Sequence, residues 1–213
     1  MYHGSNKVID NPNLTEGRID TDFGQGFYLT LDETMAKKWA GRKNPSIVNE
    51  YELITRGLTI LKLDLDQTWL DFVVANRNMY LPNAIPSCDI IIGPTADDKL
   101  FSTIELYESN SINAETAVRA LNCMEVGQQV CLKTEKALSQ LNFVKSKSLS
   151  FSERDLIRKI IKDDKQRASQ LTKEILQENN KLMYNPFDKL QDLIFVDNGE
   201  NEIEKNKDEI DLE

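Results

Sequence analysis

Up to about residue 150 the apolar positions come in short runs parted by polar, glycine- or proline-bearing stretches; beyond it they fall into one long helical stripe. Residues 27–30 read as a strand, after which Asp32 is placed to cap a helix showing Met35, Ala36, Trp39 and Ala40 on one face. Residues 47–54 and 58–64 read as strands on either side of an Arg56-Gly57 turn, the second alternating imperfectly through Leu58, Ile60, Leu61 and Leu63. Residues 67–80 predict a helix with Trp69, Leu70, Val73 and Val74 inward, ended by Pro82 and Pro86. The β-rich run 88–94, stopped by Gly93-Pro94, predicts a buried strand. Helices over 97–108 and 113–124, a strand over 129–134, a short helix over 134–141 and a strand over 143–149 complete an α+β body.

Ser152 is placed to cap a long helix in which Leu156, Ile157, Ile160, Ile161, Leu171, Ile175 and Leu176 trace an apolar stripe. That stripe needs cover, from the body or from a partner helix or second copy. A last small helix or strand is expected over 185–196. The chain therefore divides into a body of residues 1–150, a helical extension 151–196 and an acidic tail 197–213.

Charge sharpens this division. The net charge is −9, but residues 197–213 hold eight acidic residues and two lysines, so the rest of the chain is nearly balanced. The tail's composition predicts a solvated, unfolded segment, with mimicry of nucleic acid or docking to a basic partner as the functional alternative. No run approaches the roughly 20 apolar residues of a membrane span, and the first residues lack a signal peptide's order, so a cytoplasmic protein with no membrane partner is expected. Cys88, Cys123 and Cys131 are odd in number and lack C-x-x-C spacing, which predicts no disulfide framework and no metal site. His3 is the sole histidine, which excludes sites built on several imidazoles.

Candidate chemistry concentrates in Tyr2-His3-Gly4-Ser5 and in Asp22-Phe23-Gly24-Gln25-Gly26-Phe27-Tyr28-Leu29-Thr30, where two glycines would let backbone approach a flat ligand. A dinucleotide-binding turn needs a third glycine, a strand before it and a helix after it; here the glycines lead into a strand. Together these stretches resemble the ADP-ribosyltransferase superfamily, in its diphtheria-toxin-like and poly(ADP-ribose)-polymerase-like branch. The wording, continued through Trp69-Leu70-Asp71-Phe72, Asn76-Arg77, Asp89-Ile90-Ile91-Ile92-Gly93-Pro94 and Thr134-Glu135-Lys136-Ala137-Leu138, also resembles a bacterial family, domain of unknown function 3990, over about residues 1–148.

The resemblance implies a split β-sheet core with flanking helices, and NAD as co-substrate with no metal. It implies that His3 bonds the adenosine ribose, that the backbone of Gly4 beside Ser5 meets the nicotinamide amide, and that Tyr28 stacks on the nicotinamide ring. Asp22, Phe23, Gly26 and Phe27 would shape the wall, and Arg18 would meet a phosphate. In place of the superfamily's usual glutamate stands Gln129, preceded by Gln128. An amide can hold the same ribose hydroxyl but brings no negative charge. Glu125, Glu135 and Asp22 are the other carboxylates that enter the comparison. With Gln129 there, single-unit transfer is expected rather than chain growth.

The activity implied is mono-ADP-ribosyl transfer to a protein or nucleic-acid acceptor with release of nicotinamide. As a small bacterial enzyme of this kind, the chain would be a toxin or phage-defence effector, checked by an inhibitory partner docking on helix 152–184. Two other readings stay open: an NAD- or partner-binding module without catalysis, and an RNA 2′-phosphotransferase-like enzyme.

Overall fold

The computed structural model describes residues 1–78, 87–96, 102–123 and 127–183. Seven strands, β1 (Tyr2–Ser5), β2 (Phe27–Thr30), β3 (Ile47–Leu53), β4 (Ile60–Lys62), β5 (Ile90–Pro94), β6 (Gln128–Leu132) and β7 (Leu141–Ser148), form one mixed sheet in the order β4-β5-β6-β2-β1-β3-β7. Only β4 and β5 run parallel. The six described helices are α1 (Glu33–Gly41), α2 (Gln67–Arg77), α3 (Thr103–Glu108), α4 (Ala114–Leu121), α5 (Glu135–Leu138) and α6 (Phe151–Met183). Met1–Asn179 form one compact unit; of a second, Asn180–Glu213, the last residues of α6 are described.

The sheet is continuous but pinched. Strand β1 pairs with β3 at four positions, from Tyr2↔Glu50 to Ser5↔Ile47, whereas it meets β2 in register only at Tyr2↔Thr30. Beyond that pair the two strands part. The strands and helices together make a mixed α/β body with one seven-stranded sheet and a C-terminal helix.

Alternation distributes the strand side chains between two faces. Phe23, Ile91 and Cys131 bury with Trp69, Leu70 and Val73 of α2 and with Ile104, Ala117 and Leu121. Their sequence neighbours Ile90, Val130 and Leu132 bury on the other face with Phe27, Leu29, Tyr51 and Ala137. A third cluster, Ala36, Ala40, Val48 and Leu149, seats α1 on β1 and β3. Cysteines 88, 123 and 131 are free thiols.

Helix starts follow side-chain capping. Asp32 accepts from Thr34 N–H at 2.7 Å, Asp66 from Trp69 N–H at 2.9 Å and Asn113 from Thr116 N–H at 2.8 Å. The long helix corrects the expected cap: Ser150, not Ser152, supplies it. Ser150 Oγ accepts from Glu153 N–H at 3.2 Å while Glu153 returns to Ser150 N–H at 2.8 Å, a reciprocal capping box. Strand β4 is shorter than the expected 58–64, because Thr59 N–H bonds Asp89 Oδ2 at 2.8 Å before the ladder begins.

The apolar stripe of α6 also divides differently. Ile157 and Leu176 pack on the body, alongside buried Ala168, Thr172 and Asn179, whereas Leu156, Ile160 and Leu171 are exposed. The contact face is partly polar: Thr116 Oγ1 donates to Asn179 Oδ1 at 3.1 Å, Lys38 pairs with Asp164 at 3.0 Å and Arg158 Nε donates to Gly41 O at 3.1 Å. The segments 97–101, 185–196 and the tail 197–213 lie outside the described residues, as does Glu125.

Candidate functional site

A cavity of about 610 Å³ opens where β1 and β2 part. Of the sequence-predicted residues, His3, Gly4, Arg18, Asp22, Tyr28 and Gln129 line it. Met35, Ala36 and Trp39 of α1 form one wall, with Arg77 and Ala96 also on the lining.

His3 is held in one state. Its Nδ1 lies 2.7 Å from the carbonyl oxygen of Tyr28; a carbonyl has no hydrogen, so Nδ1 carries the proton and Nε2 is left as an acceptor. Burial disfavours the imidazolium and lowers the pKa of His3 from 6.5, against the opposing pull of that carbonyl. Phe27 stacks behind the imidazole, with ring centroids 4.9 Å apart and planes inclined by 25°.

Tyr28 offers its ring and withholds its hydroxyl. The phenol accepts from Phe23 N–H at 3.0 Å, donates to Gly24 O at 2.7 Å and lies 2.8 Å from Thr21 Oγ1. Desolvation raises its pKa far above the ordinary phenol range. Near-parallel to it at 21° lies Phe23, which is buried in the core and does not line the cavity. Lys133 fixes the loop that leads to this ring, its Nζ donating to Phe23 O and to Gln25 O, each at 2.6 Å.

Ser5 and Gly26 lie off the cavity lining, whereas Gly4 and Arg18 are on it. Ser5 Oγ bonds the backbone of Lys7 and accepts from the buried Asn49 Nδ2 at 3.1 Å. At Gly4 and Gly26 the space a side chain would take is filled by protein. A Cβ on Gly4 would sit 2.2 Å from Ala36 O, and one on Gly26 would sit 2.5 Å from Leu132 O. Gly24 holds φ at +69°, the left-handed region that favours glycine. Arg18 is exposed at the rim, 3.8 Å from Asp20.

Gln129 projects from β6 into a polar cluster with Asp22 and Arg77. Its Nε2 donates to Asp22 Oδ2 at 2.7 Å and to Pro94 O at 3.0 Å. Asp22 Oδ2 also accepts from Ala96 N–H at 2.8 Å, and Oδ1 accepts from Arg77 Nε and Nη2 at 3.0 and 2.6 Å. Arg77 bonds Ala96 O as well. Glu135 is exposed in the first turn of α5 and away from the cavity. Arg77 is among the lining residues that sequence reasoning missed, as is Glu105 of α3. Arg77 stands at the end of α2, 55 positions from Asp22, and the Asn76-Arg77 pair marked the resemblance without pointing to this ion pair.

No curated protein and no solved structure matches this chain. A family model does, over residues 1–143, a span that holds every residue lining the cavity and stops inside β7 short of α6. By that match the chain belongs to the family described as Protein of unknown function (DUF3990).

Proposed function

We propose that this protein is an NAD-dependent mono-ADP-ribosyltransferase. The observation that carries the reading is the convergence of His3, Gly4, Tyr28 and Gln129, drawn from three strands, on one cavity at the pinch of the sheet. The donor set suits the co-substrate. His3 Nε2 and Gln129 Oε1 are acceptors for ribose hydroxyls, the Tyr28 ring is a flat face for nicotinamide, and Arg18 is a cation for the pyrophosphate. Because the Tyr28 phenol is engaged, the ring serves as a platform only.

In the reaction the bond between ribose C1′ and the nicotinamide nitrogen breaks, and its electron pair leaves with neutral nicotinamide. A lone pair of the acceptor then forms the new bond to C1′, and the acceptor's proton passes to solvent. The residues here contribute orientation and a polar environment for the cationic sugar. Gln129 adds no formal charge, which favours a single transfer over polymer growth.

The test is incubation with labelled NAD and cell lysate, measuring nicotinamide release and label transfer for the wild type and for His3→Ala, Tyr28→Ala and Gln129→Ala. Each variant is expected to lose at least about tenfold in turnover, as when one stabilising contact is removed. NAD binding by calorimetry with neither release nor transfer would replace the enzyme by a binding module. Nuclease or protease treatment of labelled product identifies the acceptor class.

A further inference from the structure

The direction of the bond between Gln129 and Asp22 decides what the amide can offer a substrate. Both hydrogens of Nε2 are committed, one to a carboxylate oxygen at 2.7 Å and one to the Pro94 carbonyl at 3.0 Å. Neither neighbour has a hydrogen to give, so the amide cannot be turned over without setting its oxygen against two acceptors. Trp69 Nε1 donates to the same Pro94 carbonyl at 3.1 Å, filling its second lone pair. Asp22 takes four donors, two on each oxygen, and has no lone pair left for a ligand. Oε1 is then the polar atom that Gln129 presents to the cavity it lines.

We infer that Asp22 is a positioning residue of this site, fixing Gln129 so that its amide oxygen accepts a substrate ribose hydroxyl, and polarising that amide with a buried negative charge. The inference rests on the transferase reading. It explains the glutamine: with Asp22 in place, a glutamate at position 129 would set a second carboxylate against the first. Asp22 itself touches no substrate. Its charge reaches the cavity through a charge-assisted N–H···O bond, and Arg77 holds it in place from behind.

The experiment compares Asp22→Asn, Gln129→Glu and the double variant. Asp22→Asn is expected to lower kcat by about tenfold or more while KM for NAD moves less than about threefold, the range for residues supporting a direct contact. In Gln129→Glu the two carboxylates share a proton. The carboxyl carbon that this substitution introduces at position 129, followed by ¹³C NMR in labelled protein, is expected to titrate at least about one unit above the ordinary 4.3. In the double variant it returns toward that value. Should Asp22→Asn fold poorly, the Gln129→Glu titration and its pH–rate profile, with an acid limb absent from wild type, decide the matter. A Gln129→Glu carboxyl titrating near 4.3 beside an intact Asp22 overturns the inference, as does Asp22→Asn keeping kcat within about twofold. A wild type that neither releases nicotinamide nor transfers ADP-ribose overturns the transferase reading and this inference together, an outcome separate from both.

Discussion

Gly4→Ala tests whether the cavity wall rests on a missing side chain. A Cβ at this position would lie 2.2 Å from Ala36 O, 2.6 Å from Ala40 N and 2.9 Å from Trp39 Cβ. The first two are backbone atoms of α1, so no rotamer change relieves them. Restoring ordinary contact requires α1 to move off β1 by about 1 Å. Overpacking of this kind costs about 1–3 kcal/mol, which for a chain of this size lowers the melting temperature by about 2–12 °C. Because α1 carries Met35, Ala36 and Trp39 of the lining, NAD affinity is expected to fall as well. Gly57→Ala is the control: nothing lies within 4 Å of its Cβ, so its cost is backbone strain alone at φ +76° and the cavity is untouched. Thermal denaturation and calorimetry with NAD read both effects. A Gly4→Ala protein melting within about 1 °C of wild type would refute the packing account.

Three further outcomes follow from the site and the caps. Tyr28→Phe leaves Phe23 N–H without its partner, while Gly24 O keeps Thr21 Oγ1, and is expected to cost about 1–3 kcal/mol in urea denaturation, yet it retains turnover that Tyr28→Ala loses; equal losses would sink the platform role. The folded pKa of His3 lies below its unfolded 6.5, so the stability tied to the neutral ring is complete above about pH 6.5 and is lost as pH falls through the folded value. As His3 is the sole histidine, His3→Gln should remove that limb from a pH–stability profile, and persistence of the limb would contradict the assignment. Ser150→Ala removes half of the capping box and should cost about 1 kcal/mol, read as faster amide exchange confined to the first turn of α6.

Elements set by local rules were legible in the sequence. Strand β2, the cap Asp32 and the inward face of α2 all emerge from alternation, helical spacing and capping chemistry. What escaped depends on partners distant in sequence. Hydropathy points to Leu156, Ile160 and Leu171, while the buried face of α6 uses Ala168, Thr172 and Asn179, whose contacts with α4 residues are partly hydrogen bonds. Hydropathy has no means of scoring a polar contact. The glycines were legible as special positions, but the sequence does not say whether the missing Cβ makes room for ligand or for protein; at Gly4 and Gly26 it is protein. The resemblance brought His3, Tyr28 and Gln129 to attention separately. Only the fold sets Asp22 2.7 Å from Gln129, across 107 positions.

The family match stops at residue 143, yet the helix that walls the cavity is held from both sides of that limit. Within the matched region α1 rests on Gly4; beyond it, Ile157 of α6 fits the bare Cα of Gly41, and Asp164 grips Lys38. The unit recognised by ancestry is therefore smaller than the unit that holds the wall in place. A force applied to α6, by a binding protein or by a cut after β7, is transmitted to α1 through these contacts and the Arg158 bond to Gly41 O, so tolerance of the site to changes in the extension measures how stiff that wall is.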